Sequence, residues 1–290
     1  MTIDCRSALY TPSLNERILA KGPRSEADAI IVDLEDSVAP ESKDSARAKA
    51  FHALTELDYG HRLRALRINA ADTRWHADDV AAVASIRPDA VVLPKVQSAD
   101  DIQALSEALD RLPGTNGIAI WAMMESPLAV LNAQAIAQSV NHYPRLAAVL
   151  VGNNDLARES GMSIRSDRTF LLPWLMTLVA AARAYGLGIL DGVYNDFADT
   201  AGFHLECEQG AAMGMDGKTL IHPSQIVAAN DIFAPSADAI AHARAIVEAF
   251  ALPENAQAGV VQIDGRMVER LHLGMARKLL ARVEHLDSRT

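Results

Sequence analysis

The sequence predicts a (β/α)8 barrel. Eight short runs rich in Val, Ile, Leu and Ala recur between Ser7 and His222. None alternates strictly between apolar and polar residues, which is how parallel strands covered on both faces read. Segments with helix-start signals lie between them, so strand and helix follow one another in series. A doubly wound open sheet is the rival arrangement. It usually needs fewer strands, and no Gly-rich dinucleotide turn follows any run here.

The runs are Ser7 to Thr11, Ala29 to Glu35, Leu63 to Asn69, Ala90 to Val96, Ile118 to Glu125, Leu146 to Gly152, Gly188 to Tyr194 and Gly217 to His222. After the first, Ser13-Leu14-Asn15-Glu16 fits a capping box. Pro40 follows the second, where a first-turn proline is tolerated. Ser98-Ala99-Asp100-Asp101 opens the helix after the fourth. Pro127 opens the one after the fifth, with Leu128, Leu131, Ala135 and Ile136 expected on its apolar face. Pro223-Ser224-Gln225 opens another after the eighth. Beyond Phe233 the pattern changes: a helix over Ala237 to Phe250, a linker from Leu252 to Val261, a short turn over Gln262 to Gly265, and a last helix from Val268 to His285. The expected organisation is a barrel domain over 1–232 and a helical extension over 233–290, serving as lid or oligomer contact.

Half of the 290 residues are hydrophobic, ample for a large core. The formal charge of −10 argues against nucleic acid and anionic membrane as partners. It leaves a phosphorylated ligand open, since local patches can be basic. The start, MTIDCRSALY, lacks a basic region followed by an apolar one, so no signal peptide is expected. No run approaches the roughly 20 apolar residues that span a bilayer. Cys5 and Cys207 are far apart and show no metal spacing, as expected of two reduced thiols in a cytoplasmic protein.

Three runs end abruptly in polar residues: IAIWAMMES in Glu125, LAAVLVGNND in Asp155 and LRALRIN in Arg67 and Asn69. In an α/β barrel the C-terminal strand ends are where active sites sit. A carboxylate closing an apolar strand is costly unless paired, exposed or metal-bound. Glu125 and Asp155, from neighbouring strands, suit a hard divalent ion such as Mg²⁺, which takes one or two carboxylates and keeps places for water and substrate oxygens. The alternative is that each caps a helix or pairs with an arginine. Arg67 could clamp a substrate carboxylate or serve a structural ion pair. Asp33, Glu35 and Asp36 in IVDLEDS are expected to hold Arg67, order water around a metal, or cap the next helix. Lys95 in VVLPKV is either a Schiff-base lysine or a partner of the acidic site. Asp191, Tyr194, Asn195 and Asp196 end the seventh run, and His222 ends the eighth as a structural group or a base. Arg6, Lys21, Arg24 and Lys43 cluster in the first two β/α units, where Arg6, Arg24 and Lys43 are candidate phosphate contacts.

At this point the motifs match a family. The chain resembles the citrate lyase β-subunit-like branch of the HpcH/HpaI aldolase superfamily. The likeness is carried by RSALYTPS from Arg6, ADAIIVDLEDSVAPESKDSAR from Ala27, LRIN from Leu66, VVLPKV from Val91, MMES from Met123, VGNNDLARESG from Val151, GILDGVYNDFAD from Gly188 and GMDGKTLIHPSQI from Gly214. The resemblance implies a TIM barrel, Mg²⁺ dependence and reversible carbon–carbon cleavage of a 3-hydroxyacyl thioester of malyl-CoA, citramalyl-CoA or citryl type. It implies metal ligation by Glu125 and Asp155, substrate binding by Arg67 and Glu125, and a homo-oligomer, trimer or hexamer. Two departures stand out. GNNDL carries Asn154 where relatives commonly have an acid, as in GAEDL. GRMVE offers Glu269 where lyases with a C-terminal lid carry the aspartate of GSMID. DLEDS also lacks the histidine of the pyruvate-aldolase branch.

The expected function is therefore a Mg²⁺-dependent lyase that releases an acyl-CoA and a 2-oxo acid, with Glu269 from a neighbouring subunit as the acid that protonates the thioester enolate. Two alternatives stand beside it: a malyl-CoA-type thioesterase using the same site, and a non-catalytic binding or complex-forming subunit.

Overall fold

The computed structural model describes residues 4–255, 257–263 and 265–288. Among these, eight parallel strands close into a barrel in sequence order. They are β1 (Ser7–Pro12), β2 (Ala29–Asp33), β3 (Leu63–Arg67), β4 (Ala90–Leu93), β5 (Ala119–Met124), β6 (Leu146–Val151), β7 (Gly188–Asp191) and β8 (Gly217–Leu220). The helices between them are α1 (Glu16–Leu19), α2 (Lys43–Glu56), α3 (His76–Ile86), α4 (Ala99–Asp110), α5 (Pro127–Leu131), α6 (Ala133–Gln138), α7 (Asn153–Ser160), α8 (Leu172–Ala184), α9 (Thr200–Ala212) and α10 (Ile226–Phe233). The (β/α)8 barrel expected from the sequence is the fold observed.

Strand alternation divides the apolar residues between two cores. Ala8, Ala29, Ala65, Ala90 and Ala148 face the barrel interior, where small side chains leave room for the buried Trp121. Ile30, Val32, Leu66, Val91, Leu93, Ile120 and Val149 face outward into the layer beneath the helices. Both faces are dry, which explains the near-continuous apolar reading of the strands.

The helix starts follow the sequence in part. Ser98 and Asp101 form the capping box ahead of α4, with Asp101 accepting the Ser98 N–H at 2.8 Å. Ser126 caps α5, where Pro127 takes the first position. Ahead of α1 the cap is Asn15, whose side chain accepts the Ile18 N–H, not Ser13. The apolar face expected after Pro127 is shifted: Ala129, Val130, Ala133 and Ile136 are buried, whereas Leu128 and Leu131 are exposed. The segment is broken at Asn132 into two short helices, so one continuous 3.6-residue period does not apply.

One buried ionic network lies on the outer barrel wall. Lys218 on β8 reaches Asp191 at 3.0 Å and Glu206 on α9 at 2.6 Å. Arg168 meets both Asp191 oxygens, at 2.9 and 2.7 Å, and donates to Gln209 at 2.7 Å. Burial works to raise the Asp191 carboxyl, but Lys218 and Arg168 outweigh it and hold it below the ordinary range. Burial pushes the neighbouring Cys207 thiol up to about 12, which leaves it inert as a nucleophile.

The chain divides into two compact units, Met1–Phe233 and Ala234–Thr290. The second holds α11 (Ala237–Ala251), β9 (Val260–Ile263), β10 (Arg266–Glu269) and α12 (Arg270–Asp287). Ala243, Ile246, Phe250, Val261, Val268, Leu273 and Ala276 form its core. The antiparallel hairpin β9–β10 replaces the linker, turn and early helix start expected here. Gly265, at φ +78°, supplies a left-handed residue in its turn, and α12 starts only after Glu269. Among the described residues no helix is long and apolar enough to cross a membrane.

Candidate active site

A cavity of about 360 Å³ opens at the C-terminal strand ends. Tyr10, Asp33, Asp36, Arg67, Asn153 and Asp155 are among the residues that line it. Its position follows from the fold, because βα loops and strand ends meet at this rim.

Arg67 ends β3 and is buried, as are Asp33 and Glu35. Its guanidinium grips Asp33 through two hydrogen bonds, Nε at 2.6 Å and Nη2 at 2.8 Å. Its third nitrogen, Nη1, lies 2.9 Å from Glu35 and 3.6 Å from Asp36. Asp33 in turn accepts the N–H groups of Glu35 and Ser37, so the loop after β2 is folded around this carboxylate. Of the alternatives for IVDLEDS, holding Arg67 in place is what the geometry shows. Burial works against both charges, but their mutual attraction prevails: Arg67 is raised and Asp33 lowered.

Glu35 behaves differently. Burial pushes its carboxyl up to about 8; Arg67 pulls it down, while Asp36 and Glu125 push it further up. Folded protein therefore keeps a proton that the unfolded chain, with an ordinary glutamate near 4.3, has released. A raised carboxyl stabilises the fold fully below about pH 4.5, and that contribution is lost as pH rises through about 8. Wild-type protein is expected to lose stability across this window, whereas Glu35→Gln should show a flatter profile. Urea denaturation of both proteins at steps from pH 5 to 8.5 checks this, and parallel profiles would refute it.

Glu125 follows β5 and is completely buried, with Oε2 lacking any hydrogen-bond partner among the described residues. Burial pushes its carboxyl up, against the pull of Lys95. Asp155, in the first turn of α7, meets the Lys95 ammonium at 2.5 Å and the Arg158 guanidinium. Glu125 and Asp155 thus share one cation, Lys95, whose ammonium is 3.4 Å from Glu125. Gly152 makes this approach possible: a β-carbon there would lie 2.4 Å from the Glu125 β-carbon and 2.7 Å from Oε2. Among the described residues no group of three or more His, Cys, Asp or Glu converges as a metal cluster. Two carboxylates are sufficient for Mg²⁺, which retains waters, and a buried carboxylate oxygen without a partner is a fitting ligand. The donor set fits such an ion.

The remaining candidates separate clearly. Lys95 is the partner of the acidic pair, raised by Glu125 and Asp155 against the effect of burial, so a neutral Schiff-base amine is not what this setting favours. His222 caps the turn that follows β8, accepting the Ser224 N–H, and stacks on Phe197 at 4.7 Å. Asp191 faces the outer wall and belongs to the Lys218 network, away from the cavity. Asn154 and Asn195 pair through reciprocal amide hydrogen bonds of 3.1 and 2.8 Å at the rim. Tyr194 donates to Asp199 at 2.7 Å, and Asp196 accepts the N–H of Ala198.

The expected phosphate contacts are corrected. Arg6 precedes β1 and is held by Asp28, ahead of β2, through two bonds of 2.9 Å. That is the N-terminal face of the barrel, opposite the cavity. Arg24 lies in the turn that leads into the same end of β2, beside Ser25, whose carbonyl accepts from Arg62. Lys43 is buried and donates to Leu34 O at 2.8 Å, Glu35 O at 2.8 Å and Asn69 Oδ1 at 2.6 Å. It braces the loop after β2 against the end of β3, and Asn69 passes the chain on to Asp79 and Arg47. Glu269 is exposed and starts α12 in the second unit, its N–H bonded to His272.

Tyr10 also lines the cavity, a place that the pattern of charged strand ends does not mark. The Arg67 guanidinium sits 4.9 Å over its ring, and its hydroxyl has Met123 sulfur at 3.9 Å as a weak partner. Its place could be read from β1, where Ala8 and Tyr10 share the inward face. Asn153, which donates to Val193 O at 2.8 Å, is likewise unmarked, and no pattern in GNND separates it from Asn154.

Comparison with known proteins agrees with this geometry. The family model for HpcH/HpaI aldolase/citrate lyase matches residues 6–223. The chain belongs to that family. It is 46% identical over 279 residues to a (3S)-malyl-CoA thioesterase of Cereibacter sphaeroides, covering 96% of this chain and 94% of that one. It is 35% identical to the citrate lyase subunit beta of Escherichia coli, over 96% and 93% of the two chains. A crystal structure of CitE from Mycobacterium tuberculosis, in complex with magnesium, acetoacetate and coenzyme A, aligns with a TM-score of 0.75 at 30% identity, covering 96% of this chain and 97% of that one. The family expected from the motifs is confirmed. The expected carbon–carbon lyase is overturned, because the thioesterase is closer to this chain than the lyase subunit is. The enolate-protonating role expected of Glu269 belongs to the lyase reading alone.

Proposed function

We propose that this protein is a thioesterase that hydrolyses a malyl-type 3-hydroxyacyl-CoA to free CoA and the hydroxy diacid. The observation that carries the reading is the 46% identity, along nearly the whole chain, to a malyl-CoA thioesterase. The site is compatible with it. Its 360 Å³ cavity suits a four-carbon diacyl group, and the much larger nucleotide portion of CoA would lie outside it.

Arg67 supplies the fixed positive charge. Its guanidinium, held by Asp33 and Glu35, is pre-organised at the cavity wall and would face the free carboxylate of the malyl group. Asp36, at the exposed rim beside Arg67, keeps that wall polar and open to water. Glu125 and Asp155 would hold Mg²⁺, as magnesium accompanies the solved CitE relative. When bound, the ion would act as a Lewis acid on substrate oxygens. In the overall reaction, water oxygen joins the thioester carbon, the carbon–sulfur bond breaks, and CoA leaves as the thiol.

Incubating the purified protein and Mg²⁺ with malyl-CoA, with an EDTA control, tests the reading. Free CoA and malate, identified by mass, are the expected products. Acetyl-CoA with glyoxylate would overturn it, and no turnover of malyl-CoA would favour a binding or complex-forming subunit.

A further inference from the structure

Lys95 lies two residues beyond β4 with φ +55°, a left-handed conformation that residues with a β-carbon rarely adopt. The turn aims both ends of the residue at the carboxylate pair. Its backbone N–H donates to Glu125 Oε1 at 2.7 Å. Its ammonium stands 2.5 Å from Asp155 Oδ1 and 3.4 Å from Glu125 Oε1. Glu125 is fully buried, whereas Asp155 lines the cavity. The ammonium therefore stands where any ion bridging the two carboxylates would have to sit. Magnesium binds oxygen at about 2.0–2.1 Å, so the two cations cannot share that space, and their charges repel. The Lys95 side chain keeps 27% exposure, which leaves it a path outward.

We propose that Lys95 is a tethered cation that competes with the divalent ion for the Glu125–Asp155 pair. It neutralises the pair when no metal is bound, swings out when one enters, and so sets the metal affinity of the site. This rests on the reading that the pair takes Mg²⁺. The partnerless Glu125 Oε2 is the second observation behind it: Lys95 engages only Oε1, so one buried oxygen remains for a metal.

The test uses the full chain without substrate. Mg²⁺ is titrated into wild type, Lys95→Met and Glu125→Gln by calorimetry, with the Mg²⁺-dependent rise in Tm as a parallel readout. Removing the competitor should tighten Mg²⁺ binding about tenfold or more and lower the Tm of the metal-free protein. Glu125→Gln should bind little or none. If Lys95→Met fails to fold, Lys95→Asn replaces it, since asparagine tolerates the left-handed backbone, with the same expectation. Unchanged or weaker Mg²⁺ binding by the Lys95 variant would overturn the proposal. Absence of Mg²⁺ binding by both wild type and variant would overturn it too. CoA release from malyl-CoA, measured separately, would then show whether the hydrolytic reading survives on its own.

Discussion

Arg67→Ala is expected to lower the rate of malyl-CoA hydrolysis by about 10³-fold and to destabilise the protein by roughly 3–5 kcal/mol. Both effects have one origin. Arg67 is the cation that compensates buried Asp33 at 2.6 and 2.8 Å, and it stands 2.9 Å from Glu35. Truncation leaves Asp33 charged, buried and without its counter-ion. It also removes the positive wall of the cavity. Arg67→Lys should recover part of the stability and little of the rate, because an ammonium cannot bond two Asp33 oxygens and face the cavity at once. Steady-state kinetics and urea denaturation read the two effects separately. An alanine variant that keeps turnover within a few-fold of wild type would remove Arg67 from the site.

Lys218→Met is the second change with a large expected effect, here on stability. Lys218, Arg168, Asp191 and Glu206 form two cations against two carboxylates in a dry layer. Deleting Lys218 leaves two buried acids to one guanidinium, at a cost of roughly 3–5 kcal/mol. For a barrel of this size the fall in Tm should be about 10 °C. Adding Glu206→Gln to the same chain should restore part of it, since charges balance again. Activity below the transition should persist, as the network lies on the outer wall. A Lys218→Met protein as stable as wild type would show that the layer tolerates the excess charge.

The sequence made the barrel legible because its strands are dry on both sides, and that leaves an unbroken apolar signature. Strand ends were less legible. Seven of the eight runs extended beyond the observed strand at the C-terminal end, by one to three residues. The surplus residues, such as Glu35, Lys95 and Tyr194, belong to rim loops that follow the strands without pairing. Arg67, Glu125 and Asp155 could be picked out as charges closing apolar runs. Arg6, Arg24 and Lys43 could not be sorted, because charge in a β/α unit does not say which end of the barrel it occupies. Lys43 in particular reads as surface helix, yet its ammonium is consumed by two carbonyls and Asn69. The hairpin β9–β10 escaped because its short, largely exposed strands carry little of the apolar pattern that marks buried ones.

The contact between Gly152 and Glu125 also restricts how this site can change over generations. The nearest atom to a β-carbon at 152 would be the β-carbon of Glu125, 2.4 Å away. Shortening the acid to aspartate leaves that atom in place, so no carboxylate at 125, however short, makes room for a side chain at 152. Only a shift of β5 against β6 could do so, and those strands are neighbours in the barrel wall. The two positions are therefore sterically coupled: a side chain at 152 demands backbone movement at 125.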